Sequence, residues 1–130
     1  MKRLADFMIT DYKMHTPIEA QSDIKLKKTA ENPSRSSCVI AISMKRHEGL
    51  PEWEEIAAVS MAVQNMWLTC TAMGIGAYWS SPGLIARIGD FLGLSEDEKC
   101  LGLFYMGYTD ANLPEGKRKP IADKVVWMDE

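Results

Sequence analysis

The stretch from Glu52 to Gly83 reads EWEEIAAVSMAVQNMWLTCTAMGIGAYWSSPG, and it decides the fold. Pro51 stands before it, where proline suits the start of a helix, and three glutamates follow, which complement the positive end of the helix dipole. Gly74 supplies the residue type that commonly ends a helix. The pattern therefore predicts a helix from Pro51 to Met73, roughly 30 Å long at 1.5 Å per residue.

The apolar side chains of this predicted helix leave no wide polar face. A helix that is apolar on all sides is normally buried on all sides. One chain of 130 residues can hardly cover it completely, so the pattern predicts a partner subunit and hence a homo-oligomer. The helix could instead be the central helix of a compact monomer. Gln64 and Asn65 would need hydrogen-bond partners in a buried interface.

The segment GIGAYWSSPG, from Gly74 to Gly83, then connects the helix to a predicted strand over 75–79. We expect Gly74 to end the helix and Gly76 to allow a tight reversal. This is not a dinucleotide fingerprint, because the glycines follow a helix and lead into a strand. Tyr78 and Trp79, followed by two serines, are then either core residues or the wall of a site for a flat ring.

The rest of the chain predicts an α+β fold, a three-layer α/β/α sandwich, as a single domain over 1–130. We expect a helix over 1–14 and a mobile polar connection up to the next strand, with a short helix possible over 18–30. A strand buried on both faces is predicted over 37–44, a helix after Pro82, a capping box at 95–98, and a second core strand over 100–108. A loop over 109–120 and a tail with a strand-like piece ending near Trp127 follow. The chain opens in the middle of an amphipathic pattern, so we expect further N-terminal elements to belong to the domain.

Composition and charge exclude several classes of function. The net charge of −3 and the pI near 5.4 argue against nucleic-acid binding, and polar residues interrupt the longest apolar run, which argues against a membrane span. Cys38, Cys70 and Cys100 show no metal-ligand spacing and are expected to be buried reduced thiols of a cytoplasmic protein. His15 and His47 are predicted to lie at the surface. No catalytic residue stands out, so an enzyme of this sequence needs a cofactor for its chemistry.

Three segments together resemble the C-terminal part of nitroreductase-family flavoproteins. They are EWEEIAAVSMAVQNMWLTCTAMGIGAYWSSPG, FLGLSEDEKCLGLFYMGY and GKRKPIADKVVW. The long helix has the family pattern A-A-x-x-x-A-x-Q-N-x-x-L and leads to the turn G-x-G-x-x-W. The match covers about 37–127, and the order and spacing of the motifs make it specific.

This resemblance implies an FMN-dependent oxidoreductase that uses NAD(P)H to reduce nitroaromatic or quinone-like small molecules by ping-pong hydride transfer. It implies a homodimer with the long helix in the interface and FMN between the subunits. The residues that it places at the cofactor are Ala77, Tyr78, Trp79 and Ser80 at the isoalloxazine, Gly107 at the end of the last strand, and Lys117 and Arg118 at the phosphate. The cofactor carries the redox chemistry, and the resemblance assigns no residue a catalytic role.

One family motif has no counterpart here. The family binds the FMN phosphate largely through an Arg-Arg-Ser type motif in its first helix, and no such motif precedes the first strand in that position. The run of Arg35, Ser36 and Ser37 looks similar but leads into a strand, so we do not transfer the role to it. Two alternatives therefore stand beside the enzyme: a cofactor-free dimerisation module with the family fold, and a binder of another small ligand.

Overall fold

The computed structural model describes residues 1–111 and 116–128. The chain contains both helices and strands, which confirms the predicted mixed α and β fold. The longer elements are α1 (Lys2–His15), α2 (Asp23–Arg35), β1 (Cys38–Lys45), α3 (Glu52–Ala72), β2 (Gly76–Ser80), α4 (Gly89–Leu92) and β3 (Glu98–Gly107). Single 3₁₀ turns cover Ile18–Ala20, Gly83–Arg87 and Ile121–Asp123.

The three strands form one antiparallel sheet in the order β1-β3-β2, with β3 in the middle. Successive side chains of a strand point to opposite faces, so Leu103 and Tyr105 lie on one face of β3 and Phe104 lies on the other. A β-bulge interrupts this alternation, because Ile42 pairs with Gly102 whereas the next residue of β1 already pairs with Cys100.

Each face of the sheet carries its own hydrophobic cluster. One cluster joins residues of α1 and the segment after Pro82 to β3, and its buried members are Met8, Leu84, Ile88, Cys100, Leu103 and Tyr105. The other joins α3 to the sheet, and its buried members are Ile42, Val63, Cys70 and Phe104. The sheet therefore has helical residues packed against both of its faces.

The long helix is confirmed, and one chain alone leaves part of its apolar surface uncovered, as expected. It ends as predicted, with Gly74 at a φ of +69° that favours glycine. Val63 faces the sheet, whereas Trp53, Met61 and Leu68 are 68%, 64% and 57% exposed. The sheet covers only one side of α3, so within this chain the helix is not buried all round. Its polar pair, Gln64 and Asn65, is also exposed in the single chain.

The segment between α1 and β1 is better ordered than the sequence predicts. The expectation of a mobile connection is wrong: α2 extends from Asp23 to Arg35, beyond the short helix considered possible. The turn before it is held by side chains, since the backbone N–H of Ser22 donates to Tyr12 Oη at 3.0 Å and Gln21 Nε2 donates to the Thr16 carbonyl at 2.9 Å.

Three local predictions around the strands are also wrong. Gly76 makes no reversal but is the first residue of β2. The helix expected after Pro82 is instead a 3₁₀ turn over Gly83–Arg87 followed by the short α4, which begins at Gly89. The Glu98 carboxylate does accept hydrogen bonds from the backbone N–H and hydroxyl of Ser95, at 2.9 and 2.7 Å, but the segment leads into β3 and caps no helix.

Three further corrections concern β1, Cys38 and the tail. β1 is an edge strand with exposed residues, so it is not buried on both faces, and Cys38 at its start is exposed although Cys70 and Cys100 are buried. Residues 116–128 contain a 3₁₀ turn and no strand. Part of the loop predicted over 109–120 falls on 112–115, which lie outside the described residues. His15 and His47 are exposed, as predicted.

Within the described part of the chain, no helix combines the length and the apolar character needed to cross a membrane.

Candidate functional site

The candidate site is organised around β2, which begins immediately after the long helix. Gly76, Ala77, Tyr78, Trp79 and Ser80 pair with β3 along one edge of the sheet. Since the side chains of a strand alternate, Tyr78 points to the side of the sheet on which α1 packs, and Trp79 points to the side on which α3 packs. These two sides of β2, here called the open face and the closed face, have different structures.

On the open face, Tyr78 stacks on its cross-strand partner Tyr105. The ring centroids lie 4.9 Å apart and the ring planes are inclined by only 9°. Tyr105 is 3% exposed and its hydroxyl contacts Met8 Sδ at 3.9 Å, whereas Tyr78 is 43% exposed. Burial raises the pKa of Tyr105 to about 12, with a further contribution from Tyr78, and burial also raises the pKa of Tyr78. The stack therefore presents one accessible aromatic surface supported by a buried one.

A pocket of about 430 Å³ lies where β1 begins, β2 begins and β3 ends, and we call it the strand-end pocket. It is lined by Arg35, Ser36, Gly76, Ala77, Tyr78, Tyr105, Met106, Gly107, Tyr108 and Thr109. Gly76 and Gly107 lie opposite each other in the sheet, and a Cβ on Gly76 would come within 3.3 Å of the Gly107 carbonyl oxygen. Glycine at these positions lets the backbones approach closely and leaves the pocket open.

On the closed face, the Trp79 indole lies across Gly102 of β3. A Cβ on Gly102 would come 2.9 Å from Trp79 Cδ1 and 2.7 Å from the Ser80 carbonyl oxygen, so no larger residue fits there. Phe104 is fully buried beside it and packs edge-to-face on Trp67 of α3, with ring centroids 6.0 Å apart. Trp79 Nε1 is buried and has no hydrogen-bond partner among the described residues. Around Trp79 and Gly102, this face is therefore closely packed.

A second pocket of about 370 Å³, the turn pocket, lies where the chain leaves β2. It is lined by Met8, Asp11, Tyr12, His15, Thr16, Thr29, Pro82, Gly83, Leu84 and Arg87. The Asp11 carboxylate is only 7% exposed and accepts two hydrogen bonds from the guanidinium of Arg87. They run from Nε to Oδ1 and from Nη2 to Oδ2, and both are 2.7 Å long. Hydrogen bonding to Arg87 lowers the pKa of Asp11. His15 Nδ1 lies 3.2 Å from the same carboxylate.

Comparison with known proteins places this arrangement in a family. The model of the nitroreductase family matches residues 3–108, which is most of the chain. The chain belongs to the nitroreductase family. This confirms the resemblance drawn from the long helix, the β2 turn and the β3 motif.

The matched relatives are longer proteins than this chain. A Bacillus subtilis (strain 168) protein named "Putative NAD(P)H nitroreductase YfhC" is 30% identical over 77 residues, which are 58% of this chain and 40% of the relative. The chain therefore spans about two fifths of the length of this curated relative.

Two solved structures share the fold. A nitroreductase-like family protein from Bacillus cereus has a TM-score of 0.74 at 24% identity, over 99% of this chain and 68% of that protein. A Bacteroides fragilis nitroreductase, whose structure was solved with bound FMN, has a TM-score of 0.61 at 15% identity, over 98% of this chain and 72% of the other. At these identities the likeness concerns the fold alone.

This member of the nitroreductase family brings together three of the seven residues predicted to bind cofactor. Ala77, Tyr78 and Gly107 line the strand-end pocket. The structure places the Trp79 side chain on the closed face instead, and Ser80 ends β2 without lining either pocket beside it. Lys117 and Arg118 are exposed in the segment 116–120, which has no regular structure.

Sequence reasoning missed two polar groups near β2, namely Arg35 with Ser36 and the ion pair of Asp11 and Arg87. Arg35 and Ser36 line the strand-end pocket with Tyr78, although the sequence analysis assigned them no role. The pair of Asp11 and Arg87 joins two residues separated by 76 positions, and no local pattern connects them. No group of three or more potential metal ligands occurs in the described ranges, 1–111 and 116–128.

Proposed function

We propose that this chain is an FMN-dependent oxidoreductase that takes electrons from NAD(P)H and reduces nitroaromatic or quinone-like small molecules. Membership of the nitroreductase family supports an oxidoreductase. The bound FMN of the Bacteroides fragilis structure supports the cofactor, and the name of the Bacillus subtilis relative supports the electron donor. The observation that carries the proposal is the strand-end pocket, in which Ala77, Tyr78 and Gly107 lie together.

The residues around this pocket fit a flat cofactor. The accessible side of the Tyr78 ring offers an aromatic surface, and stacked rings prefer an offset parallel arrangement. The close approach of Gly76 and Gly107 leaves backbone where other residues would project a side chain. The pocket lining combines the apolar residues Ala77 and Met106 with the backbone of Gly76 and Gly107, and mostly apolar linings are typical of cofactor sites.

Bound FMN would supply the redox chemistry, by accepting a hydride from NAD(P)H and passing reducing equivalents to the acceptor in a separate half-reaction. The chain's own residues would bind FMN and orient it. Tyr78 and the backbone of Ala77, Trp79 and Ser80 would contact the isoalloxazine from the edge of the sheet, with Gly107 close by. Lys117 and Arg118 would bind the phosphate by charge-assisted hydrogen bonds. Holding reactants in a fixed geometry is itself a large part of catalysis.

We propose further that two copies associate through α3. Trp53, Met61 and Leu68 expose large apolar surfaces on the side of the helix that the sheet leaves uncovered. Beside them, an apolar groove of about 490 Å³ runs between α3 and the sheet and is lined by Ile40, Ala62, Asn65, Met66, Thr69, Cys70, Met73, Ile75 and Met106. Apolar patches of this kind on a soluble protein mark interaction surfaces, and a homodimer would cover both.

The test is titration of the purified chain with FMN, followed by anaerobic addition of NADH or NADPH. We expect saturable quenching of flavin fluorescence, then bleaching of the flavin absorbance band by the nucleotide and its recovery on addition of a nitroaromatic or quinone. Sedimentation equilibrium should give twice the mass of one chain. A protein that sediments as a dimer and takes up no FMN would instead be a cofactor-free module with the family fold.

A further inference from the structure

The ion pair between Asp11 and Arg87 lies outside the residues considered so far for cofactor binding. It joins α1 to the last residue of the 3₁₀ turn that follows β2, and it is the only ion pair in the described residues that joins these two elements. Both hydrogen bonds are 2.7 Å long, in the parallel two-point geometry that fixes orientation as well as distance.

The turn held by this pair is short and directly continuous with the strand. Pro82 leads into it, and the Ile85 N–H donates to the Pro82 carbonyl at 2.9 Å. Leu84, which is 8% exposed, anchors its apolar side in the cluster beneath α1. Apolar packing of this kind is non-directional. The two hydrogen bonds from Arg87 to Asp11 therefore fix the orientation of the turn, which apolar packing alone does not fix.

We propose that Asp11 and Arg87 are positioning residues that set the path of the chain as it leaves β2, and thereby the geometry of the segment that contacts the flavin. This inference rests on the proposed function, because the segment from Ala77 to Ser80 is the one assigned to the isoalloxazine. The pair does not touch the cofactor. It fixes the downstream end of the strand, while pairing with β3 fixes the strand itself.

The molecule offers a matched control in the ion pair of Arg46 and Glu55. Its carboxylate is 9% exposed and its guanidinium 36% exposed, against 7% and 38% for Asp11 and Arg87. It joins the end of β1 to the first turn of α3, and neither residue lines the strand-end pocket or the turn pocket. Loss of either pair should destabilise the fold, but only loss of the pair at the turn should change flavin binding.

The experiment measures FMN affinity, the visible spectrum of bound flavin and thermal stability in Asp11→Asn, Arg87→Gln, the double variant and Glu55→Gln. We expect Asp11→Asn and Arg87→Gln each to weaken FMN binding about tenfold and to shift the flavin band, because small displacements of positioning groups have large effects. The double variant should bind FMN about as weakly as either single variant, since the two residues act as one unit. Glu55→Gln should lower the melting temperature and leave FMN affinity unchanged.

Arg87→Lys provides a milder variant that keeps the charge and loses the two-point geometry. It should fold, and we expect weakened FMN binding in it as well. The inference is overturned if Arg87→Lys and Asp11→Asn bind FMN like the wild type, or if Glu55→Gln weakens FMN binding as much as they do. Absence of FMN binding in the wild-type chain would instead overturn the proposed function, so the two failures are distinguishable.

Discussion

The two faces of β2 have the same backbone and opposite characters. On the closed face, the Trp79 indole fills the space over Gly102, and the neighbouring Phe104 is fully buried. On the open face, Tyr78 is 43% exposed and lies flat on a buried Tyr105. The packing on the closed face holds β2 in place, and the open face leaves the Tyr78 ring accessible. A binding surface built on a rigid element keeps its geometry better than one built on a loop.

The substitution expected to disrupt the packing of the closed face most is Gly102→Ala. Its methyl group would overlap the indole and the Ser80 carbonyl oxygen, and the φ of +153° at this residue is one that side chains rarely adopt. We expect a loss of about 3 kcal/mol in the free energy of unfolding, which is a large fraction of the stability of a typical domain. Urea unfolding measures it.

Gly89→Ala is the control for that substitution, because no atom lies within 4 Å of the position that its Cβ would take. It should be neutral or slightly stabilising at this helical position. Equal stability of Gly102→Ala and Gly89→Ala would mean that the closed face is loosely packed.

Alkaline pH should lower the stability of the fold, because it deprotonates the buried Tyr105 beneath Tyr78 on the open face. Its pKa is raised to about 12 in the folded chain, while the unfolded chain titrates near 10. The folded state therefore keeps the proton to higher pH. The stability should be complete below pH 10 and decrease as the pH rises through about 12, by about 2 to 3 kcal/mol in total.

In Tyr105→Phe the part of this decrease that comes from Tyr105 should disappear, as unfolding curves between pH 9 and 12 would reveal. Tyr108→Phe is the comparison, because Tyr108 is 79% exposed and has no such burial. A wild-type stability that stays constant over this range would contradict the buried environment of Tyr105.

Tyr78→Ala should separate stability from binding on the open face. Loss of the stack with Tyr105 should cost only about 1 kcal/mol, because much of the Tyr78 ring is already exposed. FMN affinity should decrease clearly, whereas Tyr78→Phe should retain it, since the ring and not the hydroxyl forms the surface. Fluorescence titration measures the FMN affinity of both variants. FMN binding that is unchanged in Tyr78→Ala would place the flavin elsewhere.

The smallest effect on stability is expected for the cations of the tail. Lys117→Gln and Arg118→Gln should change the free energy of unfolding by less than about 0.5 kcal/mol, because both side chains are exposed. If they bind the phosphate, each should weaken FMN about tenfold and leave riboflavin, which lacks the phosphate, unaffected. Lys124→Gln, also exposed in the tail, is the control. Equal losses for FMN and riboflavin would contradict a phosphate contact.

The long helix and the central strand could be predicted because their sequences are strongly patterned. Pro51 and Gly74 mark the ends of α3, and β3 is a nearly continuous apolar run. α2 could not be predicted as a full helix, because it is polar and contains Pro33, so its stability comes from packing against α1. The division of the segment after Pro82 into a 3₁₀ turn and the short α4 likewise shows no signal in the local sequence pattern.

The candidate site could be predicted in part. The resemblance to the nitroreductase family pointed to β2, and alternation along a strand would have placed Tyr78 and Trp79 on opposite faces. The ion pair of Asp11 and Arg87 could not be found from the sequence, since only the folded chain brings these residues together. The same holds for Arg35 at the strand-end pocket.

The Trp79 indole over Gly102, whose Nε1 atom is buried, also allows the packing of α3 to be followed by tryptophan fluorescence. Trp79 and Trp67 pack in the cluster beside α3, whereas Trp53 and Trp127 are 68% and 82% exposed. Because Trp79 Nε1 has no hydrogen-bond partner in the described residues, its emission should lie at shorter wavelength than that of an indole in water. Loosening of α3 from the sheet should then appear as a red shift of that component.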